Sequence, residues 1–160
     1  MPSELLIQCH NLLKEQKLTI SFAESATAGR MAAEFSLIPE CGDVLKGGIV
    51  CYDATIKEDL LGVPKELVEK YTPESAEVTR AMAERLTHVI KADVQVGITG
   101  LPMPGGSETE EKPVGTMFVD ALIKGKHVAA KVLFKGTAEE IVLQTIDSAA
   151  AMISKELTSL

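Results

Sequence analysis

Leu18-Thr19-Ile20-Ser21-Phe22-Ala23-Glu24-Ser25-Ala26-Thr27-Ala28-Gly29 is the stretch that decides the fold. Leu18, Ile20 and Phe22 are apolar and alternate with Thr19 and Ser21, the period-two pattern of a strand. Small residues follow, and from about Thr27 to Phe35 the chain is rich in Ala and Met and reads as a helix. A strand that enters a helix through a tight turn is the building unit of α/β proteins.

The same alternation continues on both sides. Upstream, Leu5, Leu6, Cys9, Leu12 and Leu13 recur at helical spacing and predict an amphipathic opening helix. Downstream, Gly47 to Tyr52 contains Ile49-Val50-Cys51, a short apolar run that predicts a buried strand, with Asp53 placed to cap a short helix after it. Thr72-Pro73 reads as a further helix start, and Val78, Met82, Leu86, Val89 and Ile90 as that helix's apolar face. Val94, Val96 and Ile98 predict a further strand, and a polar loop runs from Gly100 to about Pro113. Val114 to Ile123 and His127 to Phe134 flank Gly125 and predict a hairpin. Thr137-Ala138-Glu139-Glu140 is a capping box that opens a last helix, with Ile141, Val142, Thr145, Ile146, Ala149 and Ile153 inward. Helices alternating with buried strands, plus one hairpin, predict an α/β fold: a three-layer α/β/α sandwich on a mixed sheet, in one domain covering residues 1–160.

Composition narrows the function classes. The 160 residues are 46% hydrophobic, with a formal net charge of −7 and no repeat or low-complexity tract. An acidic chain is a poor nucleic-acid partner, because phosphate binding needs a basic surface. No apolar run is long enough to span a bilayer, and the Met1-Pro2-Ser3-Glu4 start lacks the character of a signal peptide, so cytoplasm is the expectation and membrane association is not. Cys9, Cys41 and Cys51 are scattered and odd in number, which fits isolated thiols. No carboxylate–histidine cluster has metal spacing, and neither a metal nor a cofactor is expected.

Ligands of such sheets favour the carboxyl ends of the strands. Three loops leave those ends. The first carries Ser25, whose hydroxyl would face the crevice beside free N–H groups of the helix start, a geometry suited to a nucleophile and an oxyanion. Ser25 or Thr27 could equally be a plain helix cap. The second carries Tyr52 at the strand end and Lys57 one turn into the next helix. There a partly buried lysine would serve as a base, and an exposed one would be an ordinary surface lysine. The third, Thr99-Gly100-Leu101-Pro102-Met103-Pro104-Gly105-Gly106, offers glycine amides to an anion or an amide, or forms an ordinary turn. His10, His88 and His127 lie away from all three, which speaks against a histidine-based triad.

Taken together, Ala23-Glu24-Ser25-Ala26-Thr27, Gly47-Gly48 with Tyr52 and Lys57, Leu60-Leu61-Gly62-Val63-Pro64, Thr99-Gly100 with Pro104-Gly105-Gly106, and Lys112-Pro113-Val114-Gly115-Thr116 resemble the CinA C-terminal domain family, the nicotinamide mononucleotide deamidases. The matches keep their order across nearly the whole chain. The resemblance implies an amidohydrolase that releases ammonia from the carboxamide of nicotinamide mononucleotide or a related nicotinamide compound. It implies Ser25 as nucleophile and Tyr52 and Lys57 as aids to proton transfer. Thr27, Gly29, Thr99, Gly100, Gly105 and Gly106 would then contact substrate. The family's longer members carry an additional N-terminal domain for which this chain has no room, so a stand-alone domain is the expectation; the resemblance allows a homo-oligomer, for which no sequence feature supplies an interface.

The chain departs from the family's pattern at several points. Ala28 stands where the family has glycine, Asp53-Ala54 replace a Ser/Asn-Asn pair, and Leu101-Pro102-Met103 replace Ile-Ala-Gly. Ala138 and Val142 stand where the family carries arginines at the start of the last helix. Arginine is the natural clamp for a phosphate. Arg30 and Lys135 are the candidates to replace that clamp. The alternative to the enzyme is a catalytically impaired paralogue that binds small molecules or regulates.

Overall fold

A computed structural model describes residues 1–159. The chain opens with α1 (Glu4–Glu15), whose first turn is capped by the Ser3 side chain. β1 (Ile20–Glu24), α2 (Arg30–Ser36) and β2 (Leu45–Val50) follow. Three helices come next: α3 (Ala54–Asp59), α4 (Lys65–Tyr71) and α5 (Ala76–Leu86). β3 (Val94–Gly100) precedes the hairpin of β4 (Thr116–Ile123) and β5 (Lys126–Leu133), and α6 (Ala138–Thr158) closes the fold.

The five strands form one mixed sheet in the order β2-β1-β3-β4-β5. β1 runs parallel to both β2 and β3, whereas β4 is antiparallel to β3 and β5. β1 and β3, flanked on both sides, are buried along their full length. One sheet face meets α1, α2 and α6 in a core built around Leu6, Leu13, Phe22, Phe35, Val96 and Ile153. The other meets α4 and α5 through Leu61, Val68, Val78, Met82 and Leu86. The expected three layers are present. The predicted hairpin turns at Lys124-Gly125, both at positive φ, and the predicted capping box of Thr137 and Glu140 is formed in full.

Four local expectations are corrected. α2 begins at Arg30 rather than near Thr27, because Ala28 and Gly29 both take left-handed φ and keep residues 26–29 in a turn. β2 is not a buried strand: it is the sheet edge, and Val50 is 49% exposed. Its Gly48 serves close packing, since a Cβ there would lie 3.1 Å from Phe22 O. The helix predicted to start at Thr72-Pro73 starts instead at Ser75, whose side chain accepts the Val78 N–H. Thr72 instead ends α4, a helix that the apolar pattern did not single out, and its hydroxyl is taken by Lys112. α5 stops at Leu86, so Val89 lies beyond its apolar face and is exposed.

Parallel pairing is what builds the site. Glu24 at the end of β1 is in register with Val50 on one side and Ile98 on the other. Ser25 N–H donates to Ile98 O, and Cys51 N–H donates to Glu24 O. The residues that follow these three strands therefore leave the sheet side by side.

Candidate active site

Just beyond these strand ends lies a cavity of about 210 Å³. Ser25 and Ala26 form one wall, Tyr52 and Glu74 another, and the run Gly100–Gly106 the third. All three loops singled out in the sequence contribute to it.

Lys57 reaches the Ser25 wall of this cavity from α3. Asp53 caps α3 by accepting the Thr55 N–H, which fixes the start of the helix. Lys57, one turn in, runs its side chain back toward that start, the direction helical side chains favour. It is only 1% exposed, and its Nζ donates to Ser25 Oγ at 2.9 Å and to Cys51 O at 3.0 Å. No carboxylate forms a salt bridge with it among the described residues. Burial pushes its pKa below the ordinary lysine value, while the charges of Glu74, Cys51 and Asp53 oppose that shift. A lysine so placed is more readily neutral, and a neutral amine accepts a serine proton.

The amides expected to face Ser25 are found elsewhere. Glu24, 1% exposed, turns its carboxylate onto the start of α2 and accepts the N–H groups of Met31 and Ala32. Thr27 donates its hydroxyl to the same carboxylate. The helix dipole thus serves to hold Glu24 and the turn. The Ala26 and Thr27 amides have no acceptor among the described residues. Ala26 lines the cavity directly.

The remaining residues sort by position. Tyr52 stands at the cavity mouth, 60% exposed, and its hydroxyl bonds neither Ser25 nor Lys57. Gly100, Gly105 and Gly106 line the cavity. Thr27, Gly29 and Thr99 do not. Thr27 supports Glu24, Gly29 caps α2 with left-handed φ, and Thr99, fully buried, shares a hydrogen bond with Thr79 on α5. The three therefore shape the walls from behind. Arg30 pairs with Glu34 and Glu139, and Lys135 borders a separate groove with Gln144 and Asp147, so neither replaces a phosphate clamp in this cavity. Ala138 and Val142 do not line it either. Of the histidines, His127 bridges Asp120 and Glu84, His10 packs edge-on to Phe35, and His88 is exposed.

Sequence reasoning missed three residues here. Glu74 lines the cavity and accepts the Ser107 hydroxyl. Lys112 Nζ donates to Thr72 Oγ1, Glu74 O and Ser107 Oγ, tying the long loop to the α4–α5 connection. Glu108 accepts the N–H groups of Gly105 and Gly106 at 3.0 and 2.9 Å. A carboxylate two or three residues after a glycine pair was the available signal for Glu108. Glu74 carries none, because only the tertiary fold brings it near Ser25.

Among known proteins, a family model described as the CinA C-terminal domain matches residues 3–157. A CinA-like protein of Thermotoga neapolitana is 36% identical over 145 residues, covering 91% of this chain and 34% of that protein. One from Dictyoglomus thermophilum is 34% identical over 150 residues, covering 94% and 36%. The chain spans about a third of the length of these curated relatives. Among solved structures, a competence-damaged protein (CinA) superfamily protein from Klebsiella pneumoniae superposes with a TM-score of 0.92 over 98% of each chain. At 24% identity that likeness is one of fold. Another from Escherichia coli gives a TM-score of 0.87 at 28% identity, covering 93% of this chain and 86% of that one.

Proposed function

The chain belongs to the CinA C-terminal domain family, and on that premise we propose that it is a serine amidohydrolase acting on the carboxamide of nicotinamide mononucleotide or a related nicotinamide compound. The observation that carries the proposal is the direct 2.9 Å contact between Ser25 Oγ and the buried Lys57 Nζ. It also favours an enzyme over an impaired paralogue. A lysine held out of water without a carboxylate partner costs stability, and that cost has a use when the amine acts as a base.

The reaction runs in two halves. Ser25 Oγ attacks the carboxamide carbon while neutral Lys57 takes the hydroxyl proton. The carbonyl oxygen becomes an oxyanion beside the Ala26 amide. The tetrahedral intermediate collapses, the C–N bond breaks, and Lys57 returns its proton to the departing nitrogen as ammonia leaves. Tyr52, at the cavity mouth, assists that transfer. Water then attacks the Ser25 ester. Lys57 takes a proton from the water and gives it back to Ser25 Oγ, and the acid departs. No metal or cofactor is needed for these steps.

Ammonia release from nicotinamide mononucleotide and nicotinamide riboside, by the native chain and by Ser25→Ala, tests the reading. Serine-dependent release from either supports it. No release from both, at high enzyme concentration, refutes it in favour of a binding module.

A further inference from the structure

The cavity's charge bears on the class of amide it takes. At about 210 Å³ it falls below the ~300–1,000 Å³ typical of sites for drug-sized ligands, so it suits an amide-bearing ring and not a whole nucleotide. The carboxamide must face Ser25. The rest of the substrate then leaves across the rim, past Pro104–Gly106 and Glu74.

That rim is acidic. Glu74 lines the cavity, and a Cβ built on Gly106 would lie 3.5 Å from Glu74 Oε1 and 3.7 Å from Glu108 Oε2. Two carboxylates thus flank one glycine. The Gly105 and Gly106 amides, the natural place for an anionic substituent, are both taken by Glu108. Those same bonds hold the Glu108 pKa below the ordinary carboxylate value, so it is ionised at neutral pH.

The nearby positive charge is already engaged. Lys57 is turned inward to Ser25 and Cys51. The Lys112 ammonium donates to Glu74 O and to the Ser107 hydroxyl that bonds the Glu74 carboxylate, so it offsets Glu74 in part, while Glu108 has no salt bridge among the described residues. No arginine lines the cavity among the described residues. A phosphate leaving across this rim meets carboxylates and a filled amide pair, whereas a pyridinium ring meets favourable charge.

We propose that Glu108 and Glu74 are specificity-determining residues that select a cationic or neutral carboxamide without a phosphate, an N-glycosylated pyridinium carboxamide being the type, and reject its phosphorylated form. The proposal rests on the amidase reading for the orientation of the carboxamide.

Calorimetric titration of the full chain carrying Ser25→Ala, which removes the nucleophile, measures binding apart from chemistry. The probes are nicotinamide riboside and nicotinamide mononucleotide. The riboside is expected to bind at least about tenfold more tightly, and Glu108→Gln to reduce that ratio at least about fivefold by strengthening mononucleotide binding. Glu74→Gln, added separately, should move the ratio the same way. Equal or tighter binding of the mononucleotide, a ratio that Glu108→Gln leaves unchanged, or binding of neither compound overturns the proposal. The outcome is separable from the amidase reading. A protein that prefers the riboside but releases no ammonia refutes the reaction and keeps the selectivity. One that hydrolyses and binds the mononucleotide best does the reverse.

Discussion

Lys57 Nζ lies 2.9 Å from Ser25 Oγ, and both side chains are almost wholly enclosed between the ends of β1 and α3. The pairing joins residues 32 positions apart in sequence. It depends on the parallel register that sets Glu24 beside Val50.

Lys57→Met is expected to lower kcat/KM about 10²–10⁴-fold, the usual contribution of a positioned base. The same change should raise the melting temperature. The folded-state pKa of Lys57 is lowered, so the penalty for burying its charge is absent above the ordinary value of 10.5 and grows as pH falls to the folded value. Native stability therefore gains with rising pH in that window, and the variant lacks that gain. Thermal melts of both proteins across pH check this: the advantage of Lys57→Met should be larger at neutral pH than near 10. The native kcat/KM should also rise with pH along a limb centred below 10.5.

Tyr52→Phe separates a direct from a relayed proton path. Lys57 reaches Ser25 without an intermediary, so loss of the Tyr52 hydroxyl should reduce kcat by less than about tenfold. A loss comparable to that of Lys57→Met, in steady-state assays, would place the hydroxyl on the main path.

Ala28 occupies a left-handed conformation, φ +47, at the position where the sequence departs from the family's glycine. A Cβ there is strained, and glycine relieves it at a smaller entropic cost. Ala28→Gly should stabilise the protein by about 0.5–1 kcal/mol in urea unfolding, with activity kept.

Glu24 joins the turn to α2. Glu24→Ala leaves the Met31 and Ala32 amides and the Thr27 hydroxyl without their acceptor. The expected cost is on the order of 2–4 kcal/mol in chemical denaturation. Glu24→Gln keeps one acceptor oxygen and should cost clearly less.

The layers, the hairpin and the capping box were legible because they rest on local signals: apolar period, a glycine turn, and a Thr-to-Glu spacing. The place of β2 was not. Ile49-Val50-Cys51 reads the same at a sheet edge as at its centre, and only the strand order separates the two. Ser25 and Tyr52 follow strand ends that register sets side by side, and Lys57 reaches Ser25 from one turn into α3, where helical side chains lean back toward the helix start. The role of Glu24 was hidden, since a carboxylate at the end of a buried strand shows no sign of folding back onto the next helix. Glu74 was equally hidden, whereas Glu108 showed only its spacing after the Gly105-Gly106 pair. Their effect on the cavity arises from Lys112 and the glycine amides, which hold the long loop in one shape.

The covalent role of Ser25 is tested most directly by running the reaction in hydroxylamine, which intercepts an acyl ester as a hydroxamate. The account predicts hydroxamate formed at the expense of the free acid, with ammonia release undiminished, and neither product with Ser25→Ala. Ammonia release that persists in Ser25→Ala, with no hydroxamate from the native chain, would contradict it.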